Sequence, residues 1–383
     1  MAHTAIWVLV LVLGFAAPVH AASPWTVFKH DGRRTGQTNT LGPQTSAVKW
    51  VTLLENFGIQ AQLAVAADGT IYSGSVHGDF YAFTPDGSIK WRHRLAKRQI
   101  TAGAALATDG TIYVASEDGI LHALTPRGRE AWSFDLGGYA GPPASPAIRN
   151  GVLYIGATKF YAISQGGSLQ WSYDTGGPIA GPPAIGGDGT IYFPSLGSLF
   201  ALSPDGSLKW RADGHGVYPL GGAPAIGKRG TVYINTNDGT LHAYARDGTF
   251  LWKYATPGFV VDVPSSPAIA KDGTIYFGGR AEYQGQGGYF YALTPEGTLK
   301  WQYFAGCAQT APTIGDDGTI YFGSDWCGAI HALNPDGTEK WTFNNIYDYA
   351  RTSPVIAANK VLYAGLLAGQ ETPNLGGLIA IGP

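Results

Sequence analysis

The 383-residue chain has one Met, two Cys and only 14% charged side chains. Two cysteines allow a single disulfide, which excludes a small scaffold held together by many bridges. There is no C-x-x-C-H sequence for haem attachment and no H-E-x-x-H zinc site, and no Ser-His-Asp constellation is visible. Lys and Arg number 25 against 27 Asp and Glu, giving a formal net charge of −2, and no basic tract stands out. Strong binding to nucleic acid or to an anionic membrane therefore has no electrostatic support. Beyond the N-terminus, long apolar runs are also missing.

The N-terminal 21 residues, MAHTAIWVLVLVLGFAAPVHA, contain no Lys, Arg, Asp or Glu. The apolar run from Ala5 to Ala17, with Val19 and Ala21 after it, reads as a signal peptide over 1–21, cut after Ala21. Its n-region carries only His3. Retention as an anchor is the alternative, but the run is short for a span of roughly 20 residues. No Cys follows the cut for a lipid anchor. The mature chain is expected to be periplasmic or secreted, monomeric and without a membrane span.

What the sequence does have is glycine, proline and tyrosine (55, 24 and 21 residues) and a repeat. The motif D-G-T-I-Y or a variant places Tyr at 72, 113, 154, 192, 233, 276, 321 and 363. A second motif, L-x-P-D-G-x-x-x-W, places Trp at 91, 132, 171, 210, 252, 301 and 341, with Trp50 as an eighth in SAVKWVTLL. Alternating apolar and polar residues, β-branched and aromatic side chains, and Asp-Gly turns indicate four short strands per unit. Eight such units predict an all-β, eight-bladed β-propeller of four-stranded antiparallel blades, WD40-like in repeat length. The first Trp precedes the first Tyr, so the N-terminal strand is expected to complete the last blade. The predicted organisation is a leader over 22–45 and a propeller over 46–383.

The blade ending in PDG-x-L-K-W resembles the repeat of pyrroloquinoline-quinone-type propellers, which include quinoprotein alcohol dehydrogenases and BamB-like outer-membrane assembly proteins. The opening PWTVFKHDGRRTG is similar to the leader of such propellers at Trp25, Phe28, Asp31, Arg34 and Gly36. The resemblance implies the fold over residues 25–383. It leaves function open, because one blade pattern serves enzymes and non-enzymes.

Most tempting side chains belong to the repeat. The strand-four Trp residues are expected to pack between blades. His122, His242 and His331 share a strand-three position that Tyr81, Tyr161, Phe200, Tyr291 and Ile379 fill elsewhere, which argues against a metal triad. Asp68, Asp109, Asp188, Asp272 and Asp317 hold the first turn, and Asp86, Asp205, Asp247 and Asp336 the second. Arg or Asn replaces them in sister blades, so they read as turn caps. No metal site is expected.

Both Asp-Gly turns fall on one face of the ring. The opposite, variable face carries the long loops near 279–288 and 367–377 and the blade connections. Exposed candidates there include Tyr139, Tyr218, Gln309 and Tyr349. Only SDWCG departs from the repeat within 317–341. We expect a ligand-contact patch of Asp325, Trp326, Arg280, Tyr283, Tyr347 and Arg351 over blades six to eight. The rival reading has the 279–288 loop bury Trp326 as local core.

The expected function is a non-catalytic binding or assembly scaffold for a protein, peptide or glycan, without a cofactor. The alternatives are a pyrroloquinoline quinone and calcium-dependent alcohol dehydrogenase, or a polymer-degrading hydrolase or lyase. Against the dehydrogenase, the adjacent cysteines of several such enzymes are missing, since Cys307 and Cys327 are 20 residues apart. Both cysteines fall on the variable face of blade seven. A disulfide between them would stabilise by roughly 3 kcal/mol on the chain-entropy model. Non-reducing peptide mapping of exported protein is expected to find Cys307 bonded to Cys327, and two free thiols would refute the pairing.

Overall fold

Every copy of the repeat forms one four-stranded antiparallel sheet, and eight such sheets stand in a ring. The computed structural model describes residues 25–54, 58–138, 144–179, 181–213, 222–236, 238–257, 265–279, 288–306, 310–324, 328–344, 352–367 and 376–383. The chain is an eight-bladed β-propeller, with no helix among the described residues. In blade 7 the strands run from innermost Thr313–Ile314 through Ile320–Ser324 and Ala329–Leu333 to outermost Glu339–Asn344.

The first turn of the blade shows why its residues recur. Asp68, Asp109, Asp188, Asp272 and Asp317 each accept the backbone N–H two residues on, at 2.9–3.1 Å. The glycine between them has φ of 81–92°, where a side chain would be strained. Lys90, Lys209, Lys300 and Lys340 reach back from the outer strand to the Thr hydroxyl of that turn at 2.7–2.9 Å. Their ammonium groups lie 3.2–3.6 Å from the turn carboxylates. Burial opposes charge on Asp188, but Thr190, Arg246 and Lys209 outweigh it and hold its pKa at about 2. The Lys before each of these Trp residues thus ties the outer strand to the innermost hairpin.

Hydrophobic burial is divided among layers between blades. Tyr72 and Phe80 of blade 1, for example, pack with Leu106, Ile112 and Val114 of blade 2. Within every blade the repeated Tyr and Trp meet, with ring centroids 5.6–6.0 Å apart. Each Trp then crosses to the next blade. The indole N–H of Trp50, Trp91, Trp132, Trp171, Trp210, Trp252 and Trp301 donates to a carbonyl in the following blade's second turn at 2.9–3.0 Å. The glycine of that turn lies under the indole, and a Cβ on it would come within 2.6–2.9 Å of the ring. Only glycine fits.

Closure of the ring follows the phase offset of the repeat. Val48–Leu54 pairs antiparallel with Gly376–Ile381 and becomes the outer strand of blade 8, so the first Trp, Trp50, meets the last Tyr, Tyr363, at 5.7 Å. Blade 8 therefore has chain ends where the others have their second turn. Residues ahead of the ring fill that seat: Trp341 of blade 7 donates to Pro43 O at 3.1 Å, and Tyr321 donates to the same oxygen at 3.0 Å. Trp341 is buried, whereas the other seven repeat indoles are half-buried. Deleting residues 46–54 is expected to expose a blade edge and cause aggregation, visible by size-exclusion chromatography. A monomeric truncation with an unchanged melting temperature would contradict this closure.

Candidate functional site

The innermost strands surround a central channel and present one unpaired edge to it, so their inward amides need acceptors. The leader supplies them. Carbonyls of Trp25, Thr26, Gly32, Arg33, Thr35 and Gly36 accept from Val65, Leu106, Ile185, Ile226, Ile269 and Ile314 at 2.7–2.9 Å. Those amides belong to blades 1, 2, 4, 5, 6 and 7, so the leader makes a circuit of the channel in blade order. Each donor sits at the last residue of its innermost strand, beside the first turn, which places the leader at the turn face.

Two buried cations on this circuit bind the surrounding blades. Arg34 is fully buried and donates to Pro183 O at 2.9 Å, Pro146 O at 3.2 Å and Phe28 O. Its guanidinium also lies 5.6 Å from the Phe28 ring centroid. Burial lowers its pKa to about 9, against the opposing pull of Asp31, so Arg34 is charged at neutral pH. Lys29 donates to Pro267 O at 2.6 Å and Ser266 O at 3.1 Å, and burial pushes its pKa well below the usual lysine range. Asp31 holds the turn between them by accepting from the N–H and hydroxyl of Thr35 at 3.0 and 2.7 Å. Thus Arg34 cross-ties blades 3 and 4, and Lys29 anchors on blade 6.

Above the leader, toward the variable face, a polar belt joins neighbouring blades. Backbone amides of Gly103, Ala223 and Ala311 donate to Ser145, Ser266 and Ser353 of the following blade at 2.7–3.1 Å. The amide of Ser353 donates to Gln62 Oε1 at 2.9 Å, and Thr310 and Thr352 accept from Gly323 and Gly365 at 2.6 Å. These side chains are already committed to the scaffold. Beside them, Asn235 donates to Ser265 O and Gly278 O while its buried Oδ1 has no hydrogen-bond partner among the described residues.

The residues singled out by sequence are placed as follows. Asp325, Trp326, Arg280, Tyr283, Tyr347, Arg351, Cys307 and Cys327 lie outside the described residues, as do Tyr139, Tyr218, Gln309 and Tyr349. The three strand-three histidines stand on separate blades. His122 approaches Ser116 and Glu130 at 3.4 Å, and His331 approaches Thr342 at 3.1 Å. Burial holds the His331 pKa down at about 4, so its ring is neutral at pH 7. The roles of Lys29 and of the leader's carbonyls were missed by sequence reasoning, because backbone acceptors carry no residue signature.

Sequence comparison decides the family. A family profile described as outer membrane protein assembly factor BamB matches residues 26–135 and 117–343. The chain belongs to this BamB family. No curated protein matches it in sequence. Among solved structures it is similar to BamB from Moraxella catarrhalis, with TM-score 0.65 and 19% identity over 86% of this chain and 99% of that one. It is also similar to a europium-containing methanol dehydrogenase, with TM-score 0.74 and 13% identity over 93% and 90% of the two chains. A quinohemoprotein alcohol dehydrogenase from Comamonas testosteroni gives TM-score 0.75 and 14% identity over 94% and 81%. These likenesses show the fold that the BamB-family chain shares with enzymes.

A quinone with a divalent cation would need converging carboxylate and amide oxygens. Among the described residues no three His, Cys, Asp or Glu side chains converge. Asn235 Oδ1 is a single amide oxygen, and Arg34 brings positive charge into the channel. The described channel residues do not fit such a cation.

Arg34 and Lys29 differ in what they contribute. Arg34→Met removes a charged donor from three carbonyls and is expected to cost roughly 3–5 kcal/mol of stability. Lys29→Met removes a weaker, charge-depressed donor and is expected to cost less. Urea unfolding of both variants checks the ranking, and a larger loss for Lys29→Met would contradict it.

Proposed function

We propose that this chain is an exported, non-catalytic binding or assembly scaffold of the cell envelope, presenting its variable-face loops to a protein, peptide or glycan. The observation that carries the reading is the commitment of the channel: its floor is the chain's own leader, and most of the described polar belt is engaged in joints within and between blades. Recognition then falls to loops held by a rigid ring. The patch of Asp325, Trp326, Arg280, Tyr283, Tyr347 and Arg351, steadied by a Cys307–Cys327 bridge, is the proposed contact surface. Membership of a family described as an outer-membrane assembly factor supports an envelope location after removal of residues 1–21. No helix among the described residues is long and apolar enough to cross a membrane.

The second reading, a quinone-dependent alcohol dehydrogenase, draws on the fold shared with the two dehydrogenases. Incubation with pyrroloquinoline quinone and Ca²⁺, followed by absorbance and dye-linked alcohol oxidation, separates the two. The scaffold reading expects no stoichiometric quinone uptake and no turnover. It also expects a photocrosslinker at position 326 to trap an envelope partner, whereas one at turn-face position 247 traps none. Turnover with bound quinone, or equal trapping from both positions, would overturn it.

A further inference from the structure

The near-zero net charge hides a local exception. Residues 90–98 read KWRHRLAKR and hold five of the 25 Lys and Arg: Lys90, Arg92, Arg94, Lys97 and Arg98. The reading that no basic tract stands out is true of the average and fails for this stretch. Ile89–Arg94 is the outer strand of blade 1; among the described residues it pairs as a strand with Asp79–Phe83 alone, which leaves its other edge open to them. Trp91 docks on Pro126 at 3.0 Å, and a Cβ on Gly128 would meet the rings of Trp91 and His93. Arg127 and Arg129, on either side of Gly128, therefore flank the same edge. All of these cations are exposed.

Some of this charge is already matched: Lys90 pairs with Asp68 at 3.4 Å and Arg92 with Asp79 at 2.9 Å. Arg94, Lys97, Arg127 and Arg129 have no ion pair among the described residues. The third residue after the Trp differs among blades: it is Leu53, Ala255, Phe304 and Asn344 in blades 8, 5, 6 and 7. The position of Arg94, third after the Trp, is Asp135, Asp174 and Asp213 in blades 2 to 4. There the carboxylates bind their own blade's Gly137, Gly176 and Ser198. In blade 4 the neighbouring Arg211 is neutralised by Asp213. In blade 1 Arg92 pairs with Asp79 instead, and Arg94 stands where Asp213 stands in blade 4.

We propose that the outer edge of blade 1 is a docking strip for an acidic, extended segment of a partner protein. An open edge offers alternating amides and carbonyls, which an extended strand matches. Strand alternation turns Lys90, Arg92 and Arg94 toward blade 8, while His93, Arg127 and Arg129 lie toward blade 2. A guest strand would thus meet positive charge on both flanks, and its acidic side chains complement it. Like charges hinder the same edge from pairing with a second copy. A lipid surface fits less well, since Ile89 is the one exposed large apolar side chain within this strand. The strip is separate from the variable-face patch, so the two proposals fail independently.

The test uses the full chain and a fluorescent alternating Glu-Val peptide, with a Lys-Val peptide and phosphatidylglycerol vesicles as comparators. Anisotropy should show binding of the acidic peptide alone, weakening as salt rises. Charge reversal by Arg94→Glu with Lys97→Glu, or by Arg127→Glu with Arg129→Glu, should each weaken it by about tenfold. The second pair lies in and beside an exposed turn and guards against misfolding of the first. Hydrogen exchange should slow at 89–94. The proposal is overturned by absence of binding, by binding indifferent to charge reversal, by protection at another outer strand such as 299–306, or by binding to vesicles alone.

Discussion

The joint on which the ring depends is an indole N–H donated across a blade boundary. One such hydrogen bond is worth only about 1 kcal/mol net, yet it fixes the depth at which each blade seats on the next. Several recurring residues are explained by it. The turn glycine is there because the indole covers it, the Tyr because it packs against the Trp within the blade, and the preceding Lys because it ties the Trp-bearing strand to the inner hairpin. The Trp, the Tyr and the turn glycine are therefore tied to one another in the blade pattern, and the Lys reinforces four of the blades.

That mutuality is also why so much of the fold was legible. A contact made in many copies writes itself into the sequence as a period, and the offset between Trp50 and Tyr72 was enough to predict which strand closes the ring. Contacts made once leave no period. Arg34, Lys29 and the leader carbonyls bind backbone oxygens and amides, which every residue possesses, so nothing in the partner sequence advertises them. Pro43 substituting for a missing turn is equally singular. The candidate contact residues were chosen by their departure from the repeat. That criterion finds what is unusual without revealing what it touches. The basic edge of blade 1 escaped because charge was judged over the whole chain.

The same architecture explains why the fold is shared by proteins of different activity. The eight joints use the turn face and the layers between blades, and they leave the variable face unconstrained by the repeat. A relative can add or trim loops there without disturbing any indole seat. In this chain the polar wall below those loops is spent on holding blades together, and the outer rim carries charge that the repeat does not require. Two distinct surfaces, one axial and one peripheral, are thus available to a rigid ring.

The leader's circuit bears on how the molecule comes into being. Residues 25–43 are made before every blade, yet their acceptors and donors are distributed over nearly every blade, the farthest 298 residues later in the chain. Contacts so far apart in sequence slow folding, and the pairing of Val48–Leu54 with Gly376–Ile381 spans still more of the chain. Partly made blades can stack on one another as they emerge, but the inner circuit has no complete seat until blade 7 exists. Closure by Val48–Leu54 must wait for the final strand. The leader, made before any blade, thus cannot finish its circuit until blade 7 is complete, and the ring cannot close until the last strand arrives.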